Sequence, residues 1–133
     1  MLRLLQTHAR REDGAATVET ILWFPFFIFV FGFMVDVAML FHGQAKVLLV
    51  AQEGNREYAI GRIATEADTA SYVQTELAAV DISVTATMTE VAGVARTVVS
   101  VPASELQVLG FFSAFQGLNL TVTAEHMNES FGS

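Results

Sequence analysis

The sequence predicts an α+β protein: a single N-terminal transmembrane helix that extends into a helical stalk, followed by a small antiparallel sheet of about three strands. Two observations predict this order, namely a long apolar run near the N-terminus and alternating apolar and polar residues in the C-terminal half. A chain of 133 residues has room for one small domain beside a membrane segment. We therefore divide it into a basic leader (1–14), a transmembrane helix (15–43), a helical region (44–80) and a β-rich domain (81–133).

The transmembrane helix is predicted from residues 20–41. No formal charge occurs from Thr20 to Val35, and the run contains most of the phenylalanines and the single tryptophan. As a helix, residues 20–41 would be about 33 Å long, enough to cross a hydrocarbon core of roughly 30 Å. Arginines precede the run and glutamates follow it, so the positive-inside rule predicts a cytoplasmic N-terminus and an extracytoplasmic C-terminal domain. These residues are Arg3, Arg10 and Arg11 before the run, and Glu53 and Glu57 after it.

Three alternatives for the apolar run stay open. A buried helix in a soluble domain would need a larger protein around it. A cleaved secretory signal also combines basic residues with an apolar stretch, and its best small-residue site here is "GQA" at 43–45. An uncleaved anchor would tether the C-terminal domain and do nothing more.

Four residues are unusual in an apolar helix of this kind. Glu19 follows Asp13, a candidate N-cap, and would lie in the early turns, where the helix dipole favours a carboxylate. Pro25 lacks an amide hydrogen and is expected to kink the helix or to interrupt its hydrogen bonds. Gly32 thins the helix for close approach by a neighbour. Asp36 lies near the outer interface, where we expect its side chain to reach water.

The helical region is predicted to hold two segments. The composition of residues 44–61 favours continuation of the first helix, with Gly54 and Gly61 marking a bend or an end. A second helix is predicted over residues 67–80, with Thr65 or Asp68 as its cap.

The β-rich domain is predicted from three stretches, "DISVTATMTE", "GVARTVVSVP" and "LNLTVTAEH". Their apolar residues alternate along one face, and the short gap at 91–93 predicts a hairpin between the first two strands. Between the second and third strands, "SELQVLGFFSAFQG" is predicted to form a helix that starts at Ser104 and covers the sheet. Contact of its phenylalanines with the bilayer is the alternative; they are Phe111, Phe112 and Phe115.

The composition excludes several classes of function. A net charge of −7 disfavours nucleic-acid binding, and the absence of cysteine removes disulfides and thiolate chemistry. The three histidines (His8, His42 and His126) are too scattered for a metal set. Neither a phosphate-binding loop nor a dinucleotide fingerprint occurs. We therefore predict no enzyme, no cofactor and no small-molecule substrate.

One pattern in the first half of the chain resembles a known family. It consists of "GAATVE" at 14–19, Pro25 six residues after Glu19, and "GFMVD" from Gly32 to Asp36. Together these resemble the TadE-like family of minor pilins (pseudopilins) from tight-adherence pilus systems. The stretch "AQEGNREYA" at 51–59 is a looser match, and the resemblance is strongest over residues 14–61.

The resemblance implies a pilin-like fold, processing and a location. A prepilin-type peptidase would cut between Gly14 and Ala15 on the cytoplasmic side of a bacterial inner membrane. Glu19 would then be the fifth mature residue and would meet the amino group of an adjacent subunit, which makes it an assembly and recognition charge. Pro25, Gly32 and Asp36 would contact neighbouring membrane helices. The implied partners are the peptidase, other pilins or pseudopilins, pilus assembly proteins and membrane lipid.

The sequence is compatible with three functions. The leading hypothesis is a structural minor pilin that contributes to assembly of a tight-adherence, type IV-like pilus or a related secretion apparatus. The alternatives are a membrane-anchored extracytoplasmic binding module and a secreted small domain. The N-terminus of the mature protein separates them, because the three predict a start at Ala15, at Met1 and near Lys46, respectively.

The predicted orientation can be tested with reporter fusions. Alkaline phosphatase fused after Ser133 should be active, because the positive-inside rule places the C-terminus outside the cytoplasm. The same enzyme fused after Arg11 serves as the control and should be inactive. A well-expressed but inactive fusion after Ser133 would contradict the orientation.

Overall fold

The fold was taken from a computed structural model, which describes residues 2–111 and 117–128, with side chains from residue 14 onward. Two helices are followed by a three-stranded antiparallel sheet, which confirms the predicted α+β class. The elements are α1 (Leu2–Ala59), α2 (Glu66–Ala78), β1 (Thr85–Val91), β2 (Val94–Pro102), a short 3₁₀ turn (Ala103–Glu105) and β3 (Asn119–Met127).

Helix α1 has 58 residues and would measure about 87 Å at 1.5 Å per residue. It continues through Pro25, which has no amide hydrogen to donate to the carbonyl of Ile21, so the expected local interruption of the hydrogen bonds does not end the helix. The helix also continues across residues 43 and 44. The predicted transmembrane helix and stalk are therefore two parts of one helix.

The C-terminus of α1 is closed by Gly61, whose φ of +76° lies in the left-handed region. The Gly61 amide donates to the carbonyl of Tyr58 (2.9 Å), and the Arg62 amide donates to the carbonyl of Glu57 (2.9 Å). Glycine suits this position because other residues are strained at positive φ. Gly61 thus ends the helix, as one of the two predicted outcomes.

Helix α2 is capped at its N-terminus by Thr65, whose hydroxyl oxygen accepts a hydrogen bond from the amide of Asp68 (3.1 Å). The sequence predicted Thr65 or Asp68 as the cap, and Thr65 is confirmed. The buried residues Thr69, Val73 and Leu77 recur every four residues and face the core. Helix α1 approaches α2 closely at Gly54, because a Cβ there would lie 2.8 Å from Val73 Cγ2.

The sheet is a meander in which β2 lies between β1 and β3. A two-residue turn joins β1 to β2, and its residues, Ala92 and Gly93, have φ values of 54° and 77°. Positive φ at both positions is the geometry of the tight turns that match strand twist, so the predicted hairpin is confirmed. Along β1, Ala86 and Met88 are buried and the residues between them are exposed, as the alternation predicts.

The core lies between the C-terminal half of α1, helix α2 and one face of the sheet. Helix α1 contributes residues spaced by four, which place one stripe of the helix against the sheet. The members are Val47 and Ala51 from α1, Val73 and Leu77 from α2, Ile82, Ala86, Val99, Val101, Val122 and Ala124 from the β-rich domain, and Leu106 after the 3₁₀ turn.

One buried polar contact fixes α1 against the sheet. Asn55 is fully buried, donates its amide to the carbonyl of Ala124 (2.9 Å) and accepts from the hydroxyl of Thr97. Near the end of α1, the Tyr58 hydroxyl donates to a Glu90 carboxylate oxygen. This hydrogen bond, helped by burial, raises the pKa of Tyr58 to about 12, so the phenol stays protonated and the contact to β1 is retained near neutral pH.

Replacing Asn55 with alanine is expected to destabilise the packed domain. The change leaves the Thr97 hydroxyl and the Ala124 carbonyl without this partner, and each unpaired buried group costs about 1–3 kcal/mol. Pulse proteolysis in urea, with the protein in detergent micelles, measures this loss. Thr123→Ala, on the exposed face of β3, should change stability little. Equal stability of the Asn55→Ala variant and the wild type would show that the contact is not stabilising.

Candidate functional site

Residues 14–29 of α1 project from the packed domain and are exposed around the whole circumference of the helix. Large apolar side chains stay exposed as far as Phe41, except on the face that carries Gly32 and Asp36. The part of the chain that the structure describes has one helix long and apolar enough to cross a membrane, within Gly14–Ala59. A helix that is apolar all round and not covered by its own protein is suited to lipid.

Gly14 and Ala15 lie on this exposed part. A Cβ added at Gly14 would meet no atom within 4 Å, and its φ is not positive. Glycine in a helix interior costs roughly 0.5–1 kcal/mol relative to alanine. The part of the chain that the structure describes therefore gives no steric reason for glycine at position 14.

Glu19 is exposed, and among the side chains that the structure describes it has no hydrogen-bond or ion-pair partner. It lies in a shallow apolar surface with Trp23, Phe24 and Phe27. The polar neighbour Thr20 is satisfied locally, because its hydroxyl donates to the carbonyl of Ala16 (2.9 Å). Glu19 thus presents a carboxylate among exposed aromatic rings.

The expected capping of α1 by Asp13 is wrong for the full-length chain. Helix α1 begins at Leu2, and its first turn contains no acidic residue. Glu19 is therefore several turns inside the helix, where the helix dipole gives little stabilisation because its effect fades beyond the first turn. The helix-start explanation of Glu19 would apply only after the preceding residues had been removed.

Asp36 is fully buried, with 0% of its surface exposed, so the expectation that it reaches water is wrong. Its Oδ1 accepts hydrogen bonds from the amides of Val108 (3.0 Å) and Leu109 (2.7 Å). Its Oδ2 accepts from the amide of Phe111 (2.8 Å). The loop that follows β2 supplies these donors, and we call its residues 106–111 the collar loop. Asp36 is a membrane-helix carboxylate satisfied by its own chain.

Two glycines let the collar loop lie directly against α1. A Cβ at Gly32 would be 2.5 Å from Phe111 Cε2, and one at Gly43 would be 2.5 Å from Leu106 Cδ2. Phe111 also packs edge-on against Phe29, with ring centroids 5.1 Å apart. Within this chain, Gly32 and Asp36 thus contact the collar loop. Their contact with helices of other subunits stays a prediction, as does that of Pro25.

The helix predicted from Ser104 is not formed in the described residues. The 3₁₀ turn Ala103–Glu105 and the 3₁₀ residue Phe111 are the helical positions there, and residues 106–110 are irregular backbone. The Asp36 carboxylate takes amides that a helix would use internally, and Gly110 has a φ of 84°, outside the helical region. Leu106 still packs in the core, whereas Phe112 and Phe115 lie outside the described residues.

Sequence comparison finds one family model that matches part of the chain. Residues 14–56 match the model of the TadE-like proteins, which confirms the resemblance predicted from the sequence. The match starts at Gly14, includes Glu19, Gly32 and Asp36, and ends before α2 and the sheet. No curated protein matches the chain, and no solved structure does.

Replacing Asp36 with alanine is expected to release the collar loop from α1. The three amides lose a charged acceptor, and hydrogen bonds to charged groups contribute about 1.5–3 kcal/mol, which is roughly a ten- to hundredfold change in local opening. Hydrogen exchange of a peptide covering residues 106–111 should accelerate by this factor.

Asp81→Asn serves as the control, because Asp81 is an exposed aspartate in the turn between α2 and the sheet. In the Asp81→Asn variant, the amide hydrogens of the collar loop should exchange at the wild-type rate. If the Asp36→Ala variant also retained wild-type exchange over the collar loop, the carboxylate would not be what holds it.

Proposed function

Residues 14–56 form a TadE-like segment, and from this premise we propose that the protein is a structural minor pilin (pseudopilin) that contributes to assembly of a tight-adherence, type IV-like pilus or a related secretion apparatus. The observation that carries the proposal is Glu19, an exposed carboxylate without a described partner on an exposed apolar helix. A carboxylate enclosed between the apolar helices of neighbouring subunits is costly unless another group pairs with it.

Processing comes first in the proposed function. A prepilin-type peptidase removes residues 1–14 and leaves Ala15 as the new N-terminus. The exposure of Gly14 and Ala15 supports this step, because the peptidase can reach both residues. So does the lack of a packing reason for glycine at position 14, since the small residue then serves recognition by the enzyme.

Assembly depends on Glu19 in the processed protein. Its carboxylate pairs with the positive amino group at Ala15 of an adjacent subunit. Two opposite charges in apolar surroundings tolerate burial far better than either charge alone, and their pairing sets the axial position of one helix against the next. The flat aromatic surface beside Glu19 is suited to a second helix, because Trp23, Phe24 and Phe27 are exposed there.

The protein is proposed to act as a structural component of the bacterial inner membrane, with its packed domain outside the cytoplasm. The one exposed apolar helix among the described residues supports an anchor with one crossing.

A membrane-anchored binding module is the second candidate. It is favoured by the end of the family match at residue 56, since α2 and the sheet then carry a separate, unmatched surface. A secreted domain released near Lys46 is not favoured. Cleavage there would separate Gly43 and Asp36 from the packed domain that they contact.

Glu19→Gln tests the assembly proposal. Breaking a desolvated ion pair by removing one partner costs roughly 3–5 kcal/mol, or several hundredfold or more in association. Loss of a helix-dipole contribution alone would cost about 0.3–1 kcal/mol. We expect membrane insertion and cleavage to persist, whereas crosslinks to candidate pilus subunits and surface piliation are lost.

Glu53→Gln is the matched control, because Glu53 is an exposed carboxylate of the same helix outside the apolar run. It should retain crosslinks and piliation. Mass spectrometry of each mature N-terminus shows whether processing at Ala15 is intact. Normal crosslinks and piliation in the Glu19→Gln variant would refute the pairing, and a mature N-terminus at Met1 would favour the binding module.

A further inference from the structure

The collar loop carries exposed apolar side chains beside the exposed part of α1. Val108 and Leu109 are 61% and 56% exposed, although they follow a residue, Leu106, that is buried in the core. Phe111 rests on Phe29, which is itself exposed on the helix. The loop therefore extends the apolar surface of the helix sideways, and the two surfaces form one continuous patch.

The contacts to α1 fix the depth of this patch. If the hydrocarbon core starts at Thr20, the first residue of the uncharged run, 20 helical residues reach its outer boundary near Met39. At 1.5 Å per residue, Asp36 then lies about 5 Å inside that boundary and Gly32 about 10 Å inside it. The collar loop spans the same levels, because its amides bind Asp36 and Phe111 covers Gly32.

Irregular backbone is costly at such a depth unless its polar groups are paired within the protein. Here the amides of Val108, Leu109 and Phe111 all point at Asp36. The carboxylate, in turn, is shielded completely from solvent. The hydrogen bonds thus lower the desolvation cost of placing these three amides in lipid, and they lower the same cost for the Asp36 carboxylate.

We propose that the collar loop is a second membrane contact of this protein, seated in the outer part of the bilayer with Val108 and Leu109 among the acyl chains. Three observations favour lipid as the occupant of this surface. The patch is continuous with the apolar helix. It lies at the depth, about 5–10 Å below the boundary between headgroups and acyl chains, at which interfacial apolar side chains are buried. Residues 106–118 contain no charged side chain.

The consequence is a packed domain held against the membrane rather than free on a stalk. The single helix would let the domain rotate and tilt, whereas a second contact beside it limits both. This inference rests on the membrane-spanning helix and not on a role in pilus assembly.

Site-directed spin labelling tests the proposal directly, because the chain has no native cysteine. Single cysteines at Val108 and Leu109 would be labelled in the full chain, reconstituted at low protein-to-lipid ratio in phosphatidylethanolamine and phosphatidylglycerol vesicles. Collisions with oxygen, which concentrates in lipid, are compared with collisions with a water-soluble nickel chelate. We expect oxygen to dominate at both positions.

Two reference positions make the result decisive. Val91→Cys lies on the β1–β2 hairpin, is 71% exposed, and should favour the nickel chelate. Ile28→Cys lies in the exposed apolar helix and should favour oxygen.

The proposal is overturned if the labels at Val108 and Leu109 resemble the label at Val91 while Ile28 stays in lipid, which would leave the spanning helix intact. It is also overturned if neither reagent reaches them, since protein then covers the loop. An Ile28 label in water would remove its premise.

Discussion

The hydrogen bonds between Asp36 and the collar loop connect the two halves of the molecule. They join a residue of the apolar helix to the loop between β2 and β3, and the same loop places Leu106 in the core. The stripe of α1 that packs against the rest of the chain therefore includes Phe29, Gly32 and Asp36 and continues to Ala51 and beyond.

This constraint divides α1 by function. Residues 14–28 leave their surfaces open to lipid or to other proteins, whereas one face of residues 29–59 is in contact with the protein's own domain. A neighbouring helix that packed against Gly32 and Asp36 would have to displace Phe111. It would also have to break the hydrogen bonds from the collar-loop amides to the Asp36 carboxylate. In the proposed assembly, contacts between subunits are therefore expected at Glu19 and on the other faces of the helix.

The sequence predicted the features that depend on local signals. The two-residue hairpin, the Thr65 cap and the alternation of β1 each follow from a few neighbouring residues. The environment of Asp36 was missed because its hydrogen-bond donors lie 72–75 residues away in the sequence. The same long-range contact replaced the predicted helix at Ser104 with a loop. Its one local signal was Gly110, a residue able to leave the helical region.

The two carboxylates of the apolar helix show why the candidate site lies at its N-terminal end. Both would be costly in apolar surroundings as isolated charges. The carboxylate of Asp36 is completely buried and accepts hydrogen bonds from three amides of the same chain. The carboxylate of Glu19 has no such partner among the described side chains and is exposed.

The two glycines repeat this contrast. Gly32 is required by the ring of Phe111, whereas Gly14 is required by nothing in the fold. Where the chain satisfies its own unusual residues, their presence is explained by folding. Among the described residues, Gly14 and Glu19 are not explained in this way, and the proposed peptidase and subunit contacts are the roles that we assign to them.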